Sequence, residues 1–302
     1  MKGKIINGSE VNHSKKAICF GEILWDNLPS GRLAGGAPMN VAYHLRKLGV
    51  DASLISRVGN DQSGKELLSF VSSIGIPAEN IQIDTKQNTS EVLAELKANN
   101  EMAYTITYPT AWDFIAWQDH FEQQIATTDV FVFGSLAARN EVSEKTLLAL
   151  LEHAEFSVFD VNLRAPHYSK ETISQLLSKA DFAKLNENEI IVLGQWFTSF
   201  QKEKDVVRAL MEQFDLTEIL ITKGANGGTY YDPTQVINYK AQKIEVVDTV
   251  GSGDSFLAAF LSKKLAGEAI TDCLDFAAKV AGFITSQKGA CPSYEVADIT
   301  LK

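Results

Sequence analysis

The sequence is poor in cysteine: Cys19, Cys273 and Cys291 are the only three in 302 residues. Thiols so few and so scattered make no disulfide framework, and none stands at metal-ligand spacing from the five histidines. A reducing cytosol fits that usage. Positive charge is also scarce, since 28 Lys and Arg face 38 Asp and Glu for a formal net charge of -10. This excludes the clustered basic footprint of a nucleic-acid binder, while leaving room for a small anion held by backbone amides and a few cations. No apolar run approaches the roughly 18 residues of a membrane span. The opening "MKGKIINGSEVNHSKK" lacks the continuous apolar stretch of a secretory signal, so a cytoplasmic protein with a short leader is expected. Low-complexity tracts, fixed-period repeats and Gly/Ser/Pro linkers are missing too, which predicts one continuous domain over residues 1–302.

What is present is an ordinary globular balance, 45% hydrophobic with 22% charged residues. Short β-rich runs alternate with helical patterns: "AICFGEI" then "APMNVAYHLRKLG", "ASLISRVG" then "SGKELLSFVSSIG", "TDVFVFGSL" then "SEKTLLALLEHA". The runs Val130 to Phe133 and Glu218 to Thr222 are apolar on both faces, as in a parallel sheet covered by helices on both sides. One region breaks the alternation. "NTSEVLAELKANNEMAYTITYP", residues 88–109, reads as a hairpin turned by "ANNE", either a sheet edge or a lid over a ligand. In open α/β sheets ligands sit beyond the carboxyl ends of the strands, so chemistry is sought in those loops.

Three constellations stand there. In "VVDTVGSGDSFLAAF" a predicted strand ends at Asp248, and Gly251, Ser252 and Gly253 open a helix whose first N–H groups have no intrahelical partners. Such an end attracts anions and favours the charge that develops in phosphoryl transfer, and Asp254 beside it could take a proton from an attacking hydroxyl. Asp254 is explained equally by a helix dipole worth ~0.3–1 kcal/mol to a first-turn carboxylate, a reading that on local grounds asks for less. "GGAPMN" places Gly35 and Gly36 in a turn and Asn40 in the next helix's first turn, where its amide both donates and accepts, as polyol recognition requires. Asp26 in "GEILWDNLPSG" is expected in a polar loop after a strand, facing sugar hydroxyls or simply shaping a turn.

Weaker signals complete the set. "GNDQSGKE" approaches a phosphate-binding G-x-x-x-x-G-K-[ST] loop but ends on Glu66, so it is read as a loop entering a helix with Lys65 solvated. A dinucleotide glycine fingerprint fails because Phe256 stands where the third glycine belongs. "FDVNLRAPHY" sets Asp160, Asn162 and Arg164 at a strand end, where Arg164 either braces a phosphate or joins a surface ion pair. In "AKLNENEI", Asn186 and Glu189 either orient water around Mg²⁺ or form a capping box.

Taken in order, these stretches resemble the ribokinase-like sugar kinases, the PfkB carbohydrate kinase family, over nearly the whole chain from Ile18. The two signatures are "GGAPMNVAYHLRKLGVDASLISRVG" and "DTVGSGDSFLAAFL", and "GEILWD", "GGAPMN", "YTITYPTAWD" and "FDVNLR" look most like fructokinases. The resemblance implies a three-layer α/β/α sandwich around a Rossmann-like, mostly parallel sheet, with a small β lid supplied by segments 25–34 and 88–110 that often serves as a dimer interface. It implies transfer of the γ-phosphate of ATP to a small sugar, most like fructose to fructose 6-phosphate. Asp254 would be the base, Gly251 to Asp254 the anion hole, and Arg164 a contact to the transferred phosphate. Asp26, Gly35, Gly36 and Asn40 would hold the sugar; Asn186, Thr222, Gly224 and Gly227 would hold the nucleotide together with the anion-hole glycines. Glu189 would act on Mg²⁺ through water, and the Asp248 side chain and Val250 carbonyl would bind a monovalent cation such as K⁺. Lys223 and Ser252 depart from the common pattern without removing a required group. A kinase for 2-keto-3-deoxygluconate, ribose or a nucleoside is the alternative; a sugar acid would need a cation near Asn40, for which Arg32 is the one nearby candidate. A sugar-binding regulator without catalysis, and a nicotinamide dehydrogenase, are the readings from other classes.

Overall fold

The structure, a computed structural model, describes residues 14–28, 31–96 and 102–300. The N-terminal leader up to residue 13, residues 29–30 of the first expected lid segment and the turn "ANNE" lie outside the described residues. Thirteen strands are found among the described residues: β1 (Lys16–Phe20), β2 (Leu24–Leu28), β3 (Gly31–Gly35), β4 (Asp51–Gly59), β5 (Ile81–Asp84), β6 (Ser90–Leu96), β7 (Met102–Ile106), β8 (Val130–Gly134), β9 (Ser157–Asp160), β10 (Phe182–Asn186), β11 (Glu218–Thr222), β12 (Gly228–Tyr231) and β13 (Val236–Tyr239). Nine form one sheet in the order β13-β12-β11-β10-β9-β8-β1-β4-β5. It is parallel from β5 to β11, and β12 and β13 close one edge antiparallel. A second, four-stranded sheet runs β3-β2-β6-β7, with β2 parallel to β6 and the outer pairs antiparallel.

The two-residue period of the central strands explains the layers. Ala17 and Cys19 of β1 pack with Val130 and Val132 of β8 on one face; Ile18, Phe20, Phe131 and Phe133 pack on the other. Each face is buried, so helices cover both. The first face receives α1 (Ala37–Lys47), α2 (Gln62–Ser73), and the long pair α8 (Ser252–Leu265) and α9 (Ile270–Thr285). The second receives α3 (Asp119–Ala126), α4 (Glu141–Leu151), α5 (Lys170–Leu177), α6 (Glu187–Phe197) and α7 (Glu203–Phe214). Phe133 and Phe159 stack at 5.0 Å between centroids on that second face, each burial contributing roughly 1.5–3 kcal/mol.

One buried ion pair fixes the second face. Arg139 and Asp113 are both buried, joined by Nε to Oδ1 at 2.6 Å and Nη2 to Oδ2 at 2.8 Å, with the guanidinium 3.8 Å from the centre of the Trp112 ring. Arg139 Nη2 also donates to the Thr107 carbonyl, which ties the chain leaving β7 to the loop after β8. On the small sheet Arg32 donates to Glu66, Ser63 and Glu91 and lies 4.3 Å over Trp25.

Two expectations are corrected. No strand ends at Asp248: residues 241–248 have no regular structure, and Val246 and Val247 are each 61% exposed. β13 already closes the edge of the sheet, so this β-branched run pairs with no strand among the described residues, and the N–H groups of Val247 and Asp248 go to the Thr285 carbonyl instead. Asp26 is not in a loop but in the middle of β2, paired with Leu33 of β3 and Val92 of β6. Its side chain lies over Gly35, where a Cβ would stand 2.5 Å from Asp26 Oδ2.

Candidate active site

The parallel ladder brings the carboxyl ends of its strands together. Gly134 pairs with Asp160, Asp160 with Lys184, and Asn186 with Thr222, so β8 to β11 end in one line. Over that line stand the N-termini of α1 and α8, which pack on the same face.

Gly251 caps α8 with φ 75° and ψ 0°, a left-handed conformation that glycine adopts without strain. A Cβ there would stand 2.6 Å from Ala290 Cβ, so the cap and the C-terminal loop fit only with glycine. Among the described residues no acceptor takes the N–H of Gly253 or Asp254, while Ser255 N–H turns back to the Gly251 carbonyl at 2.8 Å. Two free amides at a helix N-terminus are the requirements of an anion site.

Asp254 sits in that first turn, and Asn40 Nδ2 donates to its Oδ2 at 2.7 Å across 214 residues of sequence. Asn40 is buried in the first turn of α1, whose cap Gly36 has φ 117°. A Cβ on Gly36 would stand 2.4 Å from the Glu22 carbonyl, so the turn is pressed onto the end of β1. Burial lifts the Asp254 carboxyl to about 6, and the charge of Asp160 adds to the rise; Lys184, the Asn40 hydrogen bond and Arg164 oppose it. A carboxylate tuned to that range is ionised at neutral pH and can accept a proton.

Beneath the anion site lies an ion pair. Lys184 Nζ donates to Asp160 Oδ1 at 2.9 Å and Oδ2 at 2.8 Å, both residues buried, and a Cβ on Gly253 would stand 3.3 Å from the same ammonium. Arg164 is exposed and joins no hydrogen bond or ion pair through its guanidinium among the described residues. Its charge reaches Glu22, Asp26 and Asp254, opposing the rise that burial imposes on each.

The residues expected to hold the nucleotide line the next strand ends. Asn186 caps α6, its Oδ1 accepting from Asn188 N–H and Glu189 N–H at 2.9 Å each. Glu189 Oε2 accepts from Asn186 N–H at 2.8 Å and its Oε1 from Leu163 N–H at 2.9 Å. The motif is thus a capping box, and the carboxyl, lifted by burial and by Asp160, anchors the loop that carries Arg164. Thr222 Oγ1 donates to the Leu185 carbonyl, and Gly224 and Gly227 turn the following loop at φ 52° and 80°. Asp248 Oδ1 accepts from Val250 N–H and its Oδ2 from Gly289 N–H, each at 3.0 Å.

Three residues of this centre escaped the sequence reading. Glu22 is buried, its Oε1 accepting from Ala37 N–H at 3.1 Å and its Oε2 without a partner among the described residues, and burial lifts it to about 7. Lys184 lies among apolar neighbours in β10, where nothing beside it marks a partner. Cys291 donates to Asn40 Oδ1 at 3.3 Å. The one sequence signal for the first two was a charge at the carboxyl end of a strand flanked by apolar residues.

Residues 30–297 match the profile of the family described as pfkB family carbohydrate kinase. Among curated proteins, the probable fructokinase-5 of Arabidopsis thaliana is 28% identical over 306 residues, covering 91% of this chain and 93% of its own length. Among solved structures, a fructokinase with bound ATP from Xylella fastidiosa superposes with a TM-score of 0.83 at 22% identity, covering 95% of this chain and 98% of that one. A fructokinase double mutant from Vibrio cholerae O395 in its fructose, ADP and potassium ion bound form has a TM-score of 0.80 at 22% identity, covering 95% and 97%. The shared architecture is the ribokinase-like fold: a mostly parallel large sheet, a small second sheet and helices on both sides.

Proposed function

Since the chain belongs to the pfkB family of carbohydrate kinases and is therefore a sugar phosphotransferase, we propose that it transfers the γ-phosphate of ATP to the hydroxymethyl group of fructose, giving fructose 6-phosphate and ADP. The observation that carries this reading is the 2.7 Å hydrogen bond between Asn40 and Asp254. It joins the polyol-binding turn to the anion site in one centre.

In the step, Asp254 takes the proton of the attacking hydroxyl as its oxygen forms the new bond to phosphorus. The bond from phosphorus to the bridging oxygen breaks, and the electron pair leaves with ADP. The free N–H groups of Gly253 and Asp254, which follow the Gly251 cap and Ser252, would receive the equatorial oxygens of the transferring group, and Arg164 would brace them from the loop after β9. Asp26, Gly35, Gly36 and Asn40 hold the sugar; Asn186, Thr222, Gly224 and Gly227 hold the nucleotide.

Mg²⁺ would neutralise phosphate charge when bound. Both Glu189 oxygens already accept backbone N–H groups, so Glu189 suits contact through an ordered water, with the nucleotide phosphates as the principal ligands. Asp248 likewise braces its loop through two N–H groups, leaving the Val250 carbonyl for a monovalent cation, and the potassium ion of the Vibrio cholerae relative supports testing K⁺. We further propose that the small sheet acts as a lid and pairs two copies of the chain.

A neutral sugar is favoured over a sugar acid because Arg32, the cation an acid would need, is held by Glu66, Ser63 and Glu91. Turnover with ATP and Mg²⁺ across fructose, other hexoses, ribose, 2-keto-3-deoxygluconate and nucleosides tests the reading. Fructose should give the highest kcat/KM, and preference for a sugar acid or nucleoside would overturn it. No helix among the described residues is long and apolar enough to cross a membrane, in keeping with a proposed cytoplasmic site of action.

A further inference from the structure

The loop from Gly289 to Tyr294 is tied to both halves of the site. Gly289 N–H holds Asp248, and Ala290 packs on the Gly251 cap. His44 on α1 is fully buried, with Nε2 2.9 Å from the Ala290 carbonyl and Nδ1 3.0 Å from Tyr294 Oη. A carbonyl can only accept, so Nε2 carries the proton and Nδ1 accepts from the tyrosine. Burial lowers this histidine to about 4, so the neutral ring persists at working pH. Tyr43, beside it, donates to the Pro292 carbonyl. Cys291 is therefore held at a fixed place against α1, and its thiol donates to Asn40 Oδ1 at 3.3 Å.

We propose that Cys291 is a positioning residue for phosphoryl transfer, its thiol holding the Asn40 amide in the orientation that donates to Asp254. The inference rests on the reading of Asp254 as the base. An asparagine amide has two orientations related by a half turn, which exchange a donor for an acceptor. While Asp254 is ionised it only accepts, and it selects Asn40 Nδ2. Once Asp254 has taken the substrate's proton it can also donate, and a turned amide would offer Oδ1 to that new O–H. The turned amide would stabilise the protonated base and delay its return. The S–H group of Cys291 already occupies Oδ1 and opposes the turn. Burial and the nearby Asp254 charge keep this thiol protonated, so the donor persists over the working pH range.

The experiment compares the full-length wild type with Cys291→Ser, Cys291→Ala and Cys291→Val in kcat against pH, at saturating ATP, Mg²⁺ and acceptor sugar. Alanine and valine should lower kcat by about threefold to tenfold, the scale of one weak neutral hydrogen bond, and move the acid limb to higher pH, because the Asn40 bond helps keep Asp254 ionised. Serine, which retains a donor, should recover most of both. Valine fills the volume, so it carries the test if alanine loosens the loop. Wild-type kcat and acid limb in the alanine and valine variants, or serine as impaired as alanine, would overturn the inference. Asp254→Asn is assayed alongside. If it retains turnover the reading of the base fails; if it is inactive while Cys291→Ala is normal, only the role of Cys291 fails.

Discussion

Replacing Asp254 by asparagine should lower turnover by roughly 10²–10⁴ and yet stabilise the folded protein at neutral pH. Burial, with the charge of Asp160, moves this carboxyl from 3.8 to about 6 despite Lys184, Asn40 and Arg164. The sign follows from proton linkage. The folded state holds a proton that the unfolded chain releases, so the contribution of this group is complete below about pH 4 and is lost as pH rises through about 6. Two pH units correspond to about 3 kcal/mol as a ceiling. Asp254 is only half-buried and solvent screens part of the effect, so the expected gain is about 1–2 kcal/mol. Asparagine keeps the size and retains an acceptor for Asn40 Nδ2. Urea unfolding of both proteins at pH 4 and pH 8 measures the difference. The variant should be more stable at pH 8, with the advantage fading at pH 4. A variant less stable than wild type at pH 8, or one whose advantage is equal at both pH values, would mean that burial does not penalise the ionised carboxylate.

Other consequences follow from the same geometry. Wild-type kcat/KM should rise about tenfold between pH 5 and pH 7, since the base must be ionised and titrates near 6; a flat profile over that range removes Asp254 from the role. Lys184→Met alone should cost about 3–5 kcal/mol by stranding buried Asp160, whereas Lys184→Met with Asp160→Asn should cost far less; thermal unfolding of the two singles and the double closes that cycle, and additive losses would contradict the pairing. Gly251→Ala should cost roughly 1–2 kcal/mol for the left-handed conformation alone and should lower kcat more than tenfold by displacing Ala290, read by calorimetry and turnover. Arg164→Ala should reduce kcat roughly a hundredfold while changing stability by less than about 0.5 kcal/mol, because its guanidinium is exposed and unpaired.

The layered sheet was legible because its signal is local. Val130 to Phe133, and Ile219 to Ile221 within the second run, are apolar at every position, as suits a strand covered on both faces. The glycine turns before Asn40 and Asp254 were legible for a similar reason: a sharp turn at a helix start leaves glycine in the sequence. Where the environment is set by distant chain, reading failed. Asp26 looked like a turn residue because the pairing of β2 with β3 and β6 is not written next to it. Val246 and Val247 looked like a strand because β-branched residues favour one, but β13 had already closed the sheet and left them exposed. Lys184, Glu22 and Cys291 acquire their roles from partners 15 to 251 residues away. No spacing within a short window reports such a contact.

The proposed role of Asp254 is to accept the proton of a sugar hydroxymethyl group as that group attacks the γ-phosphate of ATP. Following the ³¹P signals of ATP and fructose with Mg²⁺, for wild type and Asp254→Asn, reads that role from the products themselves. Wild type should give fructose 6-phosphate and ADP in equal amounts, and the variant a rate lower by roughly 10²–10⁴. Sugar binding by wild type with no ATP consumed, or near-normal product from Asp254→Asn, would contradict it.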